Sequence, residues 1–133
     1  MLGVDETTVR VFLHVLAATV WVGGQLTLAG LVPILRRVSA EAPGIAARQF
    51  NKIAWPAYGV LLLTGGWNTA AEHDKLHGDY ARTYWVKVFV VLLSGLAAYT
   101  HTRTSKPARI AVLGAVSGLS ALSALFLGVL LAG

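Results

Sequence analysis

Apolar positions along the chain fall into four long runs separated by short polar segments. The runs cover roughly residues 9–35, 54–71, 84–100 and 110–132. A helix needs about 20 apolar residues to cross the hydrocarbon core of a bilayer, and each run is close to that length. Because the connecting loops are short, neighbouring helices are expected to be antiparallel. The pattern predicts an all-α fold, an integral membrane four-helix up-and-down bundle that forms a single transmembrane domain over residues 1–133.

The composition supports lipid rather than water as the surrounding solvent. Hydrophobic residues make up 56% of the chain and charged residues only 13%, whereas a soluble domain carries about twice that share of charge. The chain has no cysteine, which excludes disulfides and thiolate metal sites.

The formal net charge of +5 would suit a nucleic-acid partner, but the positions of the charges indicate membrane topology instead. Seven of the eleven basic residues lie in the first and third loops, namely Arg36, Arg37, Arg48, Lys52, Arg103, Lys106 and Arg109. Basic loops normally face the cytoplasm. This predicts a multi-pass protein of the cell (inner or plasma) membrane, with both termini and the middle loop outside and no nucleic-acid partner.

Two further segments carry local predictions. The loop stretch 43–52 is expected to hold a short interfacial helix. In the fourth run, Gly114 and Gly118 have the four-residue spacing of small residues that lets membrane helices approach closely. That face would pack inside the bundle or against a second copy of the chain in a homo-oligomer.

A histidine and a tryptophan stand out in the first run, "FLHVLAATVWVGG". At about 100° per residue, His14, Ala18, Trp21 and Gln25 form one stripe of a helix. Polar groups in a membrane helix usually face the protein interior and often mark function. The plainer interpretation is that His14 hydrogen-bonds to a neighbouring helix.

Topology places other polar residues at the same depth as His14. The third run enters from the outside near Tyr84, so Lys87 is expected in the outer leaflet, joined by Trp67 and Asn68 at the outer end of the second run. His101 lies about 14 residues beyond Lys87, or roughly 20 Å along a helix, so it is not expected to share a metal with His14. Lys87 would otherwise extend to the interface. An aromatic belt is the plainer interpretation of the aromatic residues near helix ends, Trp55, Trp67, Trp85, Tyr80 and Tyr84.

The middle loop, "EHDKLHGD", offers a second candidate site. His73 and His77 are four residues apart, which on a helix would place both imidazoles on one face for zinc or copper. A polar loop that merely contains two histidines is the alternative interpretation.

Three stretches carry a family resemblance. "FLHVLAATVWVGGQLTLAGLVPILRR" resembles the first helix of the CopD copper-resistance membrane domain and of the related HemJ protoporphyrinogen oxidases, "YGVLLLTGGWNTA" is similar to their second helix, and "YWVKVFVVLLSGLAAY" to their third. The resemblance covers about three of the four helices. It departs from the HemJ pattern at "AYTHTR" and "LVPILRR".

The resemblance implies a cofactor and roles for two residues. HemJ proteins are described as haem-b enzymes in which the first-helix histidine and the third-helix lysine are essential, which carries over to His14 and Lys87. His14 would be the axial ligand of the haem iron, and Lys87 would be the opposite ligand, a cation for a propionate or anionic substrate, or a catalytic group. Copper uptake, the activity associated with CopD proteins, is the alternative.

Three functions follow as hypotheses. The first is a membrane haem-b redox protein, with an oxidoreductase activity resembling HemJ and a quinone or porphyrin as partner. In it, Trp21, Trp67 and Trp85 would form flat walls beside Asn68, while Gly23 and Gly24 would let a macrocycle or another helix approach the backbone. The second is copper binding or import by His14, His73 and His77. The third is a cofactor-free structural or assembly subunit.

Overall fold

A computed structural model describes residues 2–133, and within them every regular element is helical. Four long helices follow one another: α1 (Glu6–Val38), α2 (Ala42–Ala71), α3 (Gly78–Arg103) and α4 (Pro107–Ala132). A short 3₁₀ turn, His73–Lys75, precedes α3. The all-α class predicted from the apolar runs is therefore confirmed.

The helices begin where local chemistry favours a start. Asp5 caps α1, because its Oδ1 accepts hydrogen bonds of 2.7 Å from both the backbone N–H and the hydroxyl of Thr8. Pro107 occupies the first turn of α4, where a missing backbone N–H costs nothing. Gly78 enters α3 with a φ of +58°, in the left-handed region that favours glycine.

The second helix differs most from the sequence prediction. It begins at Ala42 rather than near residue 54, so the separate interfacial helix expected over 43–52 is instead the first third of α2. The polar residues of this stretch lowered the hydropathy signal, but they do not break a helix. Because Pro43 lies in the first turn, its missing N–H interrupts no helical bond.

Three of the four helices are long and apolar enough to cross a membrane: α1, α3 and α4. The exception is α2, and several of its aromatic and polar residues, including Trp55, Tyr58 and Thr64, contact α1. Large apolar side chains remain exposed on every helix, among them Phe12, Leu63, Phe89 and Phe126. Exposed apolar surface of this extent is compatible with contact with lipid.

The chain divides into two compact units, one ending at Ala71 and the other spanning Glu72–Gly133. Each unit is a pair of packed helices joined by a short connection. We call α1 with α2 the first hairpin, and α3 with α4 the second hairpin.

One turn of α1 departs from regular α-helical geometry. Residues Thr19–Gly23 form a π-helical turn between the α-helical segments Glu6–Ala18 and Gly24–Val38. Trp21 and Val22 within this turn are buried. Such single π turns are uncommon and often occur at functional positions.

Candidate functional site in the first hairpin

The imidazole of His14 faces α2. Its Nδ1 lies 2.8 Å from the hydroxyl oxygen of Thr64. The ring also lies beside Gly65, where a Cβ would make an ordinary van der Waals contact, 3.7 Å from Cε1 of His14. The contact joins residues 50 positions apart in sequence, and it holds the half-buried ring against a specific point of the partner helix.

Thr64 is itself bonded back to its own helix. It is buried, at 4% exposure. Its hydroxyl donates to the backbone carbonyl of Val60 at 2.6 Å and lies 3.2 Å from that of Leu61. The side chain therefore stands in a defined orientation between the α2 backbone and His14.

Arg10 is a site residue that the sequence analysis did not single out. It lies one helical turn before His14 and is 4% exposed. Its Nη1 donates a hydrogen bond to Oδ1 of Asn68. The four-residue spacing from His14 was the signal that could have identified it, because residues i and i+4 share a helix face.

The tryptophan nearest this end of the first hairpin takes part in a polar contact. Trp67 is 39% exposed, and its Nε1 donates to Oε1 of Glu6 at 3.0 Å. Together with the Arg10–Asn68 and His14–Thr64 contacts, this forms a polar ladder between α1 and α2. We use "polar ladder" below for these three pairs.

Trp21, which lies further along α1 than His14, belongs to an aromatic cluster. Its ring centroid is 4.5 Å from that of Tyr58 and 5.3 Å from that of Trp55, and Trp21 is 3% exposed. Distances of this size are typical of favourable aromatic pairs. Trp21 thus packs against two rings of α2, edge-on with Trp55 and tilted with Tyr58.

The two adjacent glycines of α1 have different surroundings. A Cβ on Gly24 would overlap the ring of Phe50 from α2, whereas a Cβ on Gly23 would meet nothing within 4 Å. These glycines were expected to let a macrocycle or another helix approach the backbone. At Gly24 it is another helix, α2, that does so. Gly23 leaves open space at its Cα.

Lys87 belongs to the second hairpin, where its side chain lies along α4. Its Nζ would be 3.2 Å from a Cβ on Gly128, so the ammonium lies over a stretch of helix without a side chain. Gly128 is in the last turns of α4, where the helix dipole favours a positive charge. The other predicted aromatic of this hairpin, Trp85, is 59% exposed and packs edge-on against Tyr84.

The loop histidines do not form the helical pair that their spacing suggested. His73 lies in the 3₁₀ turn, and His77 is an extended residue before α3, with φ of −143° and ψ of 161°. The expectation that both share one helical face is therefore wrong, because the helix ends at Ala71. His73 contacts Asp74, its neighbour, at 2.9 Å. Across residues 2–133, no three His, Cys, Asp or Glu side chains are grouped as a metal site.

Small residues build the second hairpin. Ser94 of α3 and Ser117 of α4 each donate a hydroxyl hydrogen bond to the other's backbone carbonyl, at 2.9 and 3.0 Å. Gly114 faces the His101 ring, while a Cβ on Gly118 would meet nothing within 4 Å. His101 donates from Nδ1 to the carbonyl of Ile110 at 2.8 Å, and this bond joins the end of α3 to the start of α4.

Comparison of the chain with protein-family models, with curated proteins and with solved structures finds no match. The resemblance to CopD and HemJ proteins stays a prediction from the three sequence stretches. The polar ladder, the aromatic cluster and the position of Lys87 are what the structure itself contributes to a functional argument.

Proposed function

We propose that this chain is an integral membrane protein that binds haem b and transfers electrons, with His14 as an axial ligand. The observation that carries the proposal is the orientation of His14. An imidazole inside an apolar helix, bonded through one nitrogen to a buried hydroxyl of the next helix, matches the way metal-binding histidines are held by a second residue.

The residues around His14 suit a macrocycle that carries carboxylates. Gly65 adds no side chain beside the imidazole. Arg10 brings a permanent positive charge one turn away from His14, and guanidinium groups bind carboxylates in bidentate fashion. Haem, when bound, supplies reversible one-electron chemistry. The protein's part is to hold the iron ligand, to pair the propionate charge and to exclude water with the aromatic cluster.

Lys87 enters this proposal through the resemblance to HemJ proteins. We propose that it is needed for turnover, with a membrane quinone as electron acceptor and a porphyrinogen as one substrate class. Its ammonium position over Gly128 supports a role as a cation held at a defined place in the second hairpin.

The topology belongs to the same proposal. The first and third loops carry seven of the eleven basic residues, which favours a cytoplasmic position for them. The polar ladder and Lys87 then lie in the outer half of the membrane. Cysteine scanning of Ser39 and Ser105 against Glu72 with an impermeant thiol reagent tests this, since the chain has no native cysteine. Labelling of Ser39 or Ser105 variants from outside intact cells would overturn the assignment.

Absorption spectroscopy of the detergent-purified protein is the main experiment. The wild type from haem-replete cells should show a Soret band and, after dithionite reduction, sharp α and β bands at near-stoichiometric haem. His14→Ala should lose them, whereas His101→Ala, which removes a histidine bonded to a backbone carbonyl of its own hairpin, should keep them. A colourless wild type, or an unchanged spectrum in His14→Ala, would exclude the proposal. Copper without porphyrin in elemental analysis would favour the copper hypothesis.

A further inference from the structure

The contact between His14 and Thr64 has a direction that follows from hydrogen counting. The Thr64 hydroxyl has a single hydrogen. A backbone carbonyl only accepts, so the 2.6 Å contact from Thr64 to Val60 uses that hydrogen. Toward His14 the Thr64 oxygen then presents lone pairs, and Nδ1 of His14 must donate across the 2.8 Å contact.

Donation from Nδ1 decides the tautomer of the neutral ring. A neutral imidazole has one N–H and one lone pair. With the proton on Nδ1, the lone pair belongs to Nε2. The nitrogen that carries the lone pair is the one that binds a metal ion or accepts a further hydrogen bond.

We propose that Thr64 is a positioning residue that holds His14 in the tautomer with the proton on Nδ1 and the lone pair on Nε2. The tautomer is a property of the apoprotein. Its use, to offer Nε2 to the haem iron, rests on the proposed function. His14 would then act as the ligand and Thr64 as its orienting partner, although the two residues come from different helices of the first hairpin.

Burial makes Thr64 hard to replace in this role. At 4% exposure the hydroxyl is shielded from water, so a water molecule has little access to substitute for it. The bond back to Val60 holds the threonine in one rotamer, which keeps the oxygen directed at α1. The imidazole lies against α2 beside Gly65, the next residue. The tautomer of His14 is thus selected by the Thr64 hydroxyl, which bonds to the Val60 carbonyl on one side and to the imidazole on the other.

Nitrogen-15 NMR of the apoprotein tests the tautomer without any cofactor. The chain has four histidines, and His14→Gln identifies the His14 signals in protein labelled at histidine. In the wild type at a pH where the ring is neutral, Nδ1 should show the shift of a protonated nitrogen and Nε2 that of a lone-pair nitrogen. Thr64→Ser should preserve this pattern, and Thr64→Val, of nearly equal shape, should produce a mixture of tautomers.

Thr27→Val is the matched control. Thr27 is exposed and donates only to the carbonyl of Gly23 on its own helix, at 2.8 Å, so its loss should leave the His14 signals unchanged. A lone-pair shift at Nδ1 in the wild type, or an identical pattern in Thr64→Val, would overturn the inference.

Haem titration of the same variants separates this inference from the proposed function. Loss of a residue that orients a metal ligand typically lowers metal affinity by about 10- to 100-fold, which is the loss expected for Thr64→Val but not for Thr64→Ser. If the tautomer pattern holds and no variant binds haem, the haem proposal fails while the role of Thr64 in the apoprotein stands. Equal haem affinity in wild type and Thr64→Val would overturn the metal-positioning role.

Discussion

The guanidinium of Arg10 donates from Nη1 to Oδ1 of Asn68, and this bond joins α1 to α2 at a buried position. A charge buried inside an apolar helix pair is costly unless it is hydrogen-bonded. The Arg10–Asn68 bond therefore stabilises the first hairpin, and the charge of Arg10 would also attract an anionic ligand.

Replacement of Asn68 by Leu should destabilise the first hairpin. The change removes an acceptor from a buried charged donor, which costs about 1–3 kcal/mol. The free energy of unfolding in mixed detergent and SDS micelles measures it. Asp79→Asn, which disrupts an exposed contact with Arg82, is the control and should cause no measurable change. Equal stability of Asn68→Leu and wild type would contradict this account of the pair.

Replacement of Gly24 by Ala should destabilise the same hairpin by a different mechanism. The added methyl group would overlap the Phe50 ring, and overpacking of this kind costs about 1–3 kcal/mol. Gly23→Ala, one residue away with open space at its Cα, should be neutral or slightly stabilising, because alanine favours helix over glycine. Phe50→Leu should reduce the penalty of Gly24→Ala in a double-mutant cycle. An additive cycle would show that the two positions do not contact each other.

Replacement of Ser94 by Ala should weaken the second hairpin modestly. Interhelical hydrogen bonds in membrane proteins contribute on average about 0.6 kcal/mol and at most about 1.7, and Ser94 makes one to the Ser117 carbonyl. Ser94→Val should cost more, since the site is 1% exposed and has no room for a branched side chain. Thermal unfolding in detergent compares these variants with Ser123→Ala. Ser123 is exposed and bonds only to Leu119 of its own helix, so Ser123→Ala should barely change the unfolding temperature.

The start of α1 should fray at low pH. The backbone N–H of Thr8, followed by its hydroxyl, holds the pKa of the Asp5 carboxyl below its ordinary value of 3.8. Because the folded pKa is lowered, the cap's stabilisation is fully present above the ordinary value and is lost as pH falls through the lowered folded value. The Thr8 amide shift and its exchange rate across this range measure the loss. Asp5→Asn, which still caps without a charge, should show no such transition.

The four apolar runs predicted the helices well because the signal that defines them is local. Length and hydropathy along the chain suffice to identify a segment suited to lipid, and the runs at 9–35, 84–100 and 110–132 lie within α1, α3 and α4. The start of α2 was missed because Arg48, Gln49, Asn51 and Lys52 interrupt the apolar pattern but are compatible with a helix. The π turn at Thr19–Gly23 has no marker in the periodicity.

The residues of the candidate site could likewise be predicted only in part from the sequence. Sequence reasoning identified His14, Trp21 and Asn68 as residues of interest, because polar and aromatic side chains are unusual within apolar helices. It did not identify their partners Thr64, Tyr58 and Arg10, because hydropathy does not show which faces of two membrane helices meet. Only the shared helical face expected of His73 and His77 was wrong, because a four-residue spacing has helical meaning only where the chain is helical.

The sequence by itself determined that this protein is all-helical, that it contains long apolar segments suited to lipid, and that His14 and Lys87 are ionisable groups within apolar helices. Its prediction of four membrane-crossing helices is met by three of them, α1, α3 and α4. Only the tertiary structure decided that His14 meets Thr64, that Arg10 meets Asn68 and that Phe50 lies on Gly24. The physical reason is that lipid and protein interior are almost equally apolar. Hydropathy therefore identifies a membrane helix but not the face it turns inward, and that face depends on the close packing of one helix against its neighbour.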